Sequence, residues 1–357
     1  MTTRFPLSTV AAGLILPIIL SAGAAAQDRD RELIVVPRVA ERAVTRAYQG
    51  RNNGPELTER VSRKVKITRD GRLSVDNISG DITVTGGGSG DEITIEAIKR
   101  TRGNRDQLAA IEIDIEERGG RVDVRTIPTA RNTRASVDYT ITIPSSVSIE
   151  VRSISGDVQV TNVQGTVRGE TVSGDITMTG TPNLENARSV SGDVRLTGVS
   201  TNGDLTAGSG SGNLTARGLK VRGLELSSIS GDMILTDVIC DRLGAKSVSG
   251  DVDFGGRIIK GGRYEFTSHS GDIRLRLRNP GGFELNGSSF SGSIRSDIAL
   301  VIHSEADRRG DRDRQGQEGQ RGQRGPGLNH SMQATYGDGS ALLLVRTFSG
   351  DIVLTEQ

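Results

Sequence analysis

The sequence predicts an all-β fold, a single-stranded β-solenoid (β-helix) with coils of about 18–21 residues. Three observations predict it. The tripeptide Ser-Gly-Asp, set between aliphatic residues except where His269 or Phe348 precedes it, recurs around Gly80, Gly156, Gly174, Gly192, Gly231, Gly250, Gly271 and Gly350, with weakened copies around Gly212 and Gly292. From Gly156 to Gly292 the steps are 18, 18, 20, 19, 19, 21 and 21 residues. The composition holds 47 glycines, 3% aromatics and no tryptophan, which suits thin coils with tight corners better than a thick mixed core.

The elements follow in chain order. Arg4, an apolar run from Leu7 to Ile19 and the stretch Ser21-Ala22-Gly23-Ala24-Ala25-Ala26 form an export leader over residues 1–26, cut after Ala26. The apolar run is short for a membrane span and contains Pro17. No later stretch is long enough, so no transmembrane anchor is expected after cleavage, and the mature chain is expected to be periplasmic or extracellular. Residues 27–64 mix charges with scattered aliphatics and are expected to form a partly flexible N-terminal arm. The solenoid domain is expected over 65–357. Alternating apolar residues mark strands at Leu73–Val75, Ile82–Val84, Ile93–Ala97, Ile111–Ile115, Val122–Val124 and Val137–Ile143, the last stopped by Pro144. From Val147 the coils become regular, each with two or three short strands stacked on those of the next coil. Residues 304–329, rich in Arg, Asp, Gln and Gly, break the pattern and are expected to be a disordered loop. The pattern then resumes and ends on Phe348-Ser349-Gly350-Asp351-Ile352, strands expected to cover the open end of the rod.

Charge and cysteine content exclude several function classes. Loss of Arg4 with the leader leaves 44 basic against 44 acidic residues, and such a balance does not supply the basic field that nucleic acid requires. One cysteine, Cys240, allows no internal disulfide, so packing and backbone hydrogen bonds must hold the fold.

The repeat itself carries a structural role. Each Ser-Gly-Asp is expected at a bend between two inward aliphatics, where glycine supplies the unusual backbone angle and Asp satisfies turn amides. Stacking in register places Asp157, Asp175 and Asp193 in one column and Asp232, Asp251 and Asp272 in another. Neighbouring carboxylates repel, which favours raised pKa values or a bound cation, and calcium is the hard-ion candidate. Against calcium, the chain lacks the Gly-Gly-x-Gly-x-Asp nonapeptide of calcium-binding rolls. The aspartates are therefore read as turn residues, with no cofactor and no metal site expected.

Nothing else assembles into a recognisable reaction centre. No nucleophile elbow, phosphate loop, zinc-site spacing or dinucleotide fingerprint occurs. His269 occupies a slot held by Val or Ile in other coils and is read as structural. His303 and His330 flank the polar insert and could approach each other, without an evident third ligand. Arg309-Gly310-Asp311 matches an adhesion-receptor tripeptide inside a segment already dense in those residues. Glycosidic hydrolysis needs two carboxylates in different environments, and here nearly every aspartate belongs to the repeat.

The recurrent aliphatic-Ser-Gly-Asp units, with Tyr139-Thr140-Ile141-Thr142-Ile143-Pro144 before the regular coils and Tyr336-Gly337-Asp338-Gly339 before the last one, resemble the bacterial DUF4097 family of putative adhesins over residues 65–357. The long polar insert departs from the family pattern. The resemblance implies a β-solenoid carried behind an export signal or anchor, and a binding role. The expected function is thus a non-catalytic envelope or surface solenoid that binds a protein or polysaccharide of the envelope. A carbohydrate-active β-helix enzyme and a calcium-stabilised rod are the alternatives, and oligomeric state is left open.

Overall fold

A computed structural model describes residues 55–88, 90–303 and 330–357. The leader, the arm up to residue 54, the polar insert and Arg309-Gly310-Asp311 lie outside the described residues.

Each regular coil contributes one strand to each of two sheets. A longer strand such as Ser148–Ser155, Val167–Ser173 or Leu184–Ser191 runs to the Ser-Gly-Asp corner. The chain then turns into a short strand, such as Val158–Thr161, Ile176–Thr179 or Val194–Thr197, in the second sheet. Neighbouring coils pair in parallel and in register within both sheets, so that Val151 faces Gly169 and Val160 faces Met178. A loop with one inward aliphatic (Val163, Val199 or Leu219) returns the chain to the long-strand sheet, and at Val238 the strand Met233–Ser249 makes the passage without a break. The core between the sheets is a continuous column of fully buried Ile, Val and Leu, widened late in the rod by Phe254, Tyr264, Phe266 and Phe283. No strand this short would stand alone; each is held by ladder bonds above and below.

The stacking order is not the chain order at either end. The coil Arg72–Gly86 lies between the coil Arg121–Ile143 and the coil that begins at Ser148. Likewise Ala341–Ser349 pairs with Arg263–Ser270 on one side and with Phe283–Ser291 on the other. The last repeat therefore does not cover the open end, as its sequence position suggests. It is inserted as an inner layer, and the outer position falls to Phe283–Ser291, covered in turn by the antiparallel strand His330–Tyr336.

At the opposite end, Leu57–Lys66 pairs antiparallel with Glu92–Thr101 and closes the short-strand sheet. Its start at Leu57 places ordered structure inside the stretch expected to be arm. Its exposed positions carry Arg60, Arg63 and Lys64, charges that discourage further edge pairing. The long-strand sheet ends at Ile111–Arg118, and a short helix, Arg105–Ala109, sets Leu108 into the end of the core.

Candidate binding face

The corner differs from the sequence expectation in one respect that matters for function. The aliphatic after Ser-Gly-Asp points inward: Ile82, Val158, Ile176, Val194, Leu214, Met233 and Val252 are fully buried. The aliphatic before it points out. Strand alternation explains this, because Ile149, Val151 and Ser153 take the inward positions and leave Ile154 on the outer face. The inward slot beside the corner belongs instead to Asn77 in the first coil and to a small hydroxyl in the others, unpartnered in Ser153 and Ser268 but bonded in Thr171, Ser189, Ser209, Ser228, Ser247 and Thr347. The bonded hydroxyls donate to the carbonyls of corner glycines, for example Ser189 to Gly174 (2.9 Å) and Ser209 to Gly192 (2.8 Å), satisfying a buried acceptor that the ladder leaves free.

The corner glycines stand in a column. Gly80, Gly156, Gly174, Gly192, Gly212, Gly231, Gly250, Gly271 and Gly350 all have φ between +106° and +157°. Gly292, in the outermost weakened copy, is not in that region, but a Cβ there would still lie 2.0 Å from the Gly350 carbonyl.

The aspartates form one continuous ladder rather than two columns. The backbone N–H of each donates to the side chain of the residue one coil below. Asp157 donates to Asp81 (2.9 Å), Asp175 to Asp157 (2.8 Å) and Asp193 to Asp175 (2.8 Å). Asn213 joins the halves: its amide donates to Asp193 (2.8 Å), and its side-chain oxygen accepts from Asp232 (3.0 Å). The series continues through Asp251, Asp272 and Asp351 to Ser293. Arg195 bridges Asp175 and Asp193, and Arg274 bridges Asp251 and Asp272. The shifts run opposite to the repulsion expected from sequence. The Arg195 guanidinium, helped by the Asp193 amide, holds the Asp175 carboxyl below the usual carboxylate range. The Ser293 amide and hydroxyl do the same for Asp351. Among the described residues, no group of three or more His, Cys, Asp or Glu is arranged to hold a metal ion.

A carboxyl whose folded pKa is depressed adds stability above its unfolded pKa and loses it as pH falls toward the folded value. With unfolded Asp near ~3.9, the urea midpoint should be level from neutral pH down to about 5 and then fall. In Arg195→Ala the fall should be shallower. An identical acid profile in the variant would show that the Arg195 bridge does not stabilise the rod.

The remaining candidates are scattered. His269 is exposed, its ring stacked on Phe348 at 5.0 Å, which in turn stacks on the exposed Phe290 at 4.7 Å. Phe290 thus belongs to the surface, not to the widened core. His303 contacts Thr335 (2.8 Å), whereas His330 is paired opposite Ser289. Cys240 is buried, and desolvation pushes its thiol up to about 12, so at neutral pH it is a packed, protonated group.

What the in-register stack creates instead is an outer face with two distinct columns. The first is apolar: Ile78, Ile154, Val172, Val190, Ile229 and Val248 occupy equivalent positions, with Ile154 54%, Val190 61% and Ile229 63% exposed. Gly210 interrupts the column between Val190 and Ile229. Beside it runs a charged column, Asp76, Arg152, Glu170, Arg188, Gly208, Ser227 and Lys246. Between the two lies a groove of about 900 Å³ along the rod. The strand parity of Ile154 and its equivalents was the available signal for this face, but an aliphatic beside a corner reads as core unless the hydroxyl before it is recognised as inward.

The sequence model of one family, Toastrack DUF4097, matches residues 56–197 and 181–321, well over half of the chain. The chain belongs to the Toastrack DUF4097 family. This Toastrack chain is also similar to solved structures of low identity. A putative adhesin from Bacteroides fragilis is 12% identical, with 83% of this chain and 97% of that one covered at a TM-score of 0.36. A putative lipid binding protein from Parabacteroides distasonis is 12% identical, with 84% and 97% covered at 0.39. A putative cell adhesion protein from Clostridium sporogenes is 8% identical, with 84% and 100% covered at 0.23. No curated protein matches the Toastrack sequence. Among its described residues, no helix is long and apolar enough to cross a membrane.

Proposed function

We propose that this chain is a non-catalytic, exported solenoid of the cell envelope or surface, whose work is binding through the outer face of its long-strand sheet. The observation that carries the reading is the exposed apolar column from Ile78 to Val248. Single exposed aliphatics are ordinary, but a row at one position of successive coils, broken at Gly210 alone, is a surface that is covered when the protein functions. The aspartates, the most numerous candidate chemical groups, are engaged in the corner ladder and its arginine bridges. The role is adhesin-like, with a partner drawn from the envelope. The aliphatic chemistry of the column favours an apolar contact over a polysaccharide.

The test uses immobilised mature protein and a Val190→Asp, Ile229→Asp double variant, both challenged with solubilised envelope. Both positions are exposed, so the variant should melt within about 1 kcal/mol of the parent. The parent is expected to retain envelope material that the variant does not. Equal retention by both would remove this face from the proposal.

A further inference from the structure

The groove has two unlike walls and a floor without free hydrogen-bonding groups. One wall is the aliphatic column. The other carries side-chain charge, and its two halves differ. At the end near Ile78, Arg152 is paired with Asp76 and Glu150, and Glu170 accepts from Asn186 (2.7 Å). Past Glu170, Arg188 and Lys246 form no ion pair among the described residues, although Glu170 stands directly across the strand from Arg188. They flank Gly208 and Ser227 in register. They stand three strand spacings apart, ~14 Å along the rod, and two long flexible side chains can converge across the gap that Gly208 leaves open. The floor is the central part of a parallel sheet, whose N–H and C=O groups are consumed by the strands on either side.

These features select among occupants. A peptide or a glycan lying along the groove would bring its own amides or hydroxyls against a floor that cannot pair with them, at a cost for each unsatisfied group. No aromatic ring lines the groove to stack on a sugar. A polymethylene chain needs no hydrogen-bond partners and fits a continuous aliphatic wall. From the notch at Gly208 to Ile78 the groove crosses four strand spacings, ~19 Å at the usual separation, the reach of an extended long-chain fatty acid.

We infer that the groove binds a free long-chain fatty acid, its carboxylate held between Arg188 and Lys246 over Gly208 and its hydrocarbon chain laid along Val190, Val172, Ile154 and Ile78. The inference rests on the outer face being the binding surface proposed above. The carboxylate meets two cations that form no ion pair among the described residues, Glu170 across the strand from Arg188 being engaged by Asn186, and charge-assisted hydrogen bonds of this kind set orientation as well as affinity. The tail then runs toward the end where the charges are already paired internally.

Delipidated mature protein titrated with monomeric hexadecanoate, followed by calorimetry, should show saturable binding of one molecule per chain. Arg188→Glu with Lys246→Glu should weaken it by about tenfold or more, and the uncharged methyl ester should lose a similar factor. Shortening the ligand to decanoate should weaken it on the order of a hundredfold, because methylenes leave the aliphatic wall. Val172→Asp, at an exposed position, should abolish binding while leaving the thermal midpoint in place. Absence of saturable binding overturns the inference, as does binding indifferent to both the charge reversal and Val172→Asp. Attachment to phospholipid vesicles without uptake of monomeric hexadecanoate also overturns it, in favour of a membrane surface. If hexadecanoate fails to bind but Val190→Asp, Ile229→Asp still loses envelope material, only the fatty-acid assignment falls. If both fail, the binding face falls with it.

Discussion

Gly192→Ala should lower the stability of the rod by about 3 kcal/mol or more, read as a drop in the urea midpoint followed by circular dichroism. Gly192 has φ +147°, and a Cβ there would sit 2.1 Å from the carbonyl oxygen of Gly174. Two penalties coincide. The backbone region is one that residues with a side chain rarely enter, and the atom in the way is backbone, which cannot rotate aside. The coil below has the same geometry, since a Cβ at Gly174 would lie 2.2 Å from Gly156 O, so relaxing one corner strains the next. Gly218 is the internal control. Its φ is +62° and no atom lies within 4 Å of the hypothetical Cβ, so Gly218→Ala carries only the conformational cost of about 1 kcal/mol. Equal losses in the two variants would mean that the stacked corners are not what fixes the coil spacing.

Phe254→Ala should cost about 3–5 kcal/mol. The ring is fully buried, edge-on to Phe266 at 5.3 Å and tilted against Tyr264 at 6.4 Å. Layers above and below are pinned by parallel ladders and cannot collapse into the space, so the cavity should persist. Tyr264→Phe at the neighbouring position should cost less, about 1 kcal/mol. It removes the hydroxyl that donates to Cys240 O (2.7 Å) and accepts from the Ile259 N–H (3.0 Å), yet keeps the ring. Thermal midpoints of the two variants test the order. The reverse order would mean that the hydroxyl, not ring packing, organises the wide part of the core.

The glycine period made the solenoid legible because each coil must return to the same corner, and only glycine tolerates the approach of the corner below. The two-sheet section was partly legible. The strands leading into the corner are longer than expected, as in Ser148–Ser155, while those leaving it are as short as Val158–Thr161. The inward hydroxyls hid this: Ser153 and Ser189 look like surface residues, so Ile154 and Val190 look like core. The aspartate ladder was legible as a column, but not its partners. A carboxylate that accepts the amide of the next coil requires the stacking offset, which sequence spacing does not contain. The cations of the proposed binding face were not legible at all. Arg188 and Lys246 are told apart from Arg152, in the same column, only by forming no ion pair among the described residues, a fact of side-chain geometry rather than of sequence.

The layer Ala341–Ser349, held between Arg263–Ser270 and Phe283–Ser291, has a consequence for how the chain reaches its final form. A solenoid whose coils stack in chain order can be completed progressively as it emerges from a translocation pore. Here the segment from Phe283 cannot take its final place until a stretch nearly sixty residues later, by the Gly292-to-Gly350 spacing, has arrived to separate it from the body of the rod. The late segment must enter between two surfaces, each of which offers an unpaired sheet edge while it waits. Those edges match each other in length and hydroxyl pattern, so premature closure of the gap is the natural misfolding route. Assembly of this end is thus governed by arrival order, and a chain released before residue 341 would carry two complementary open edges.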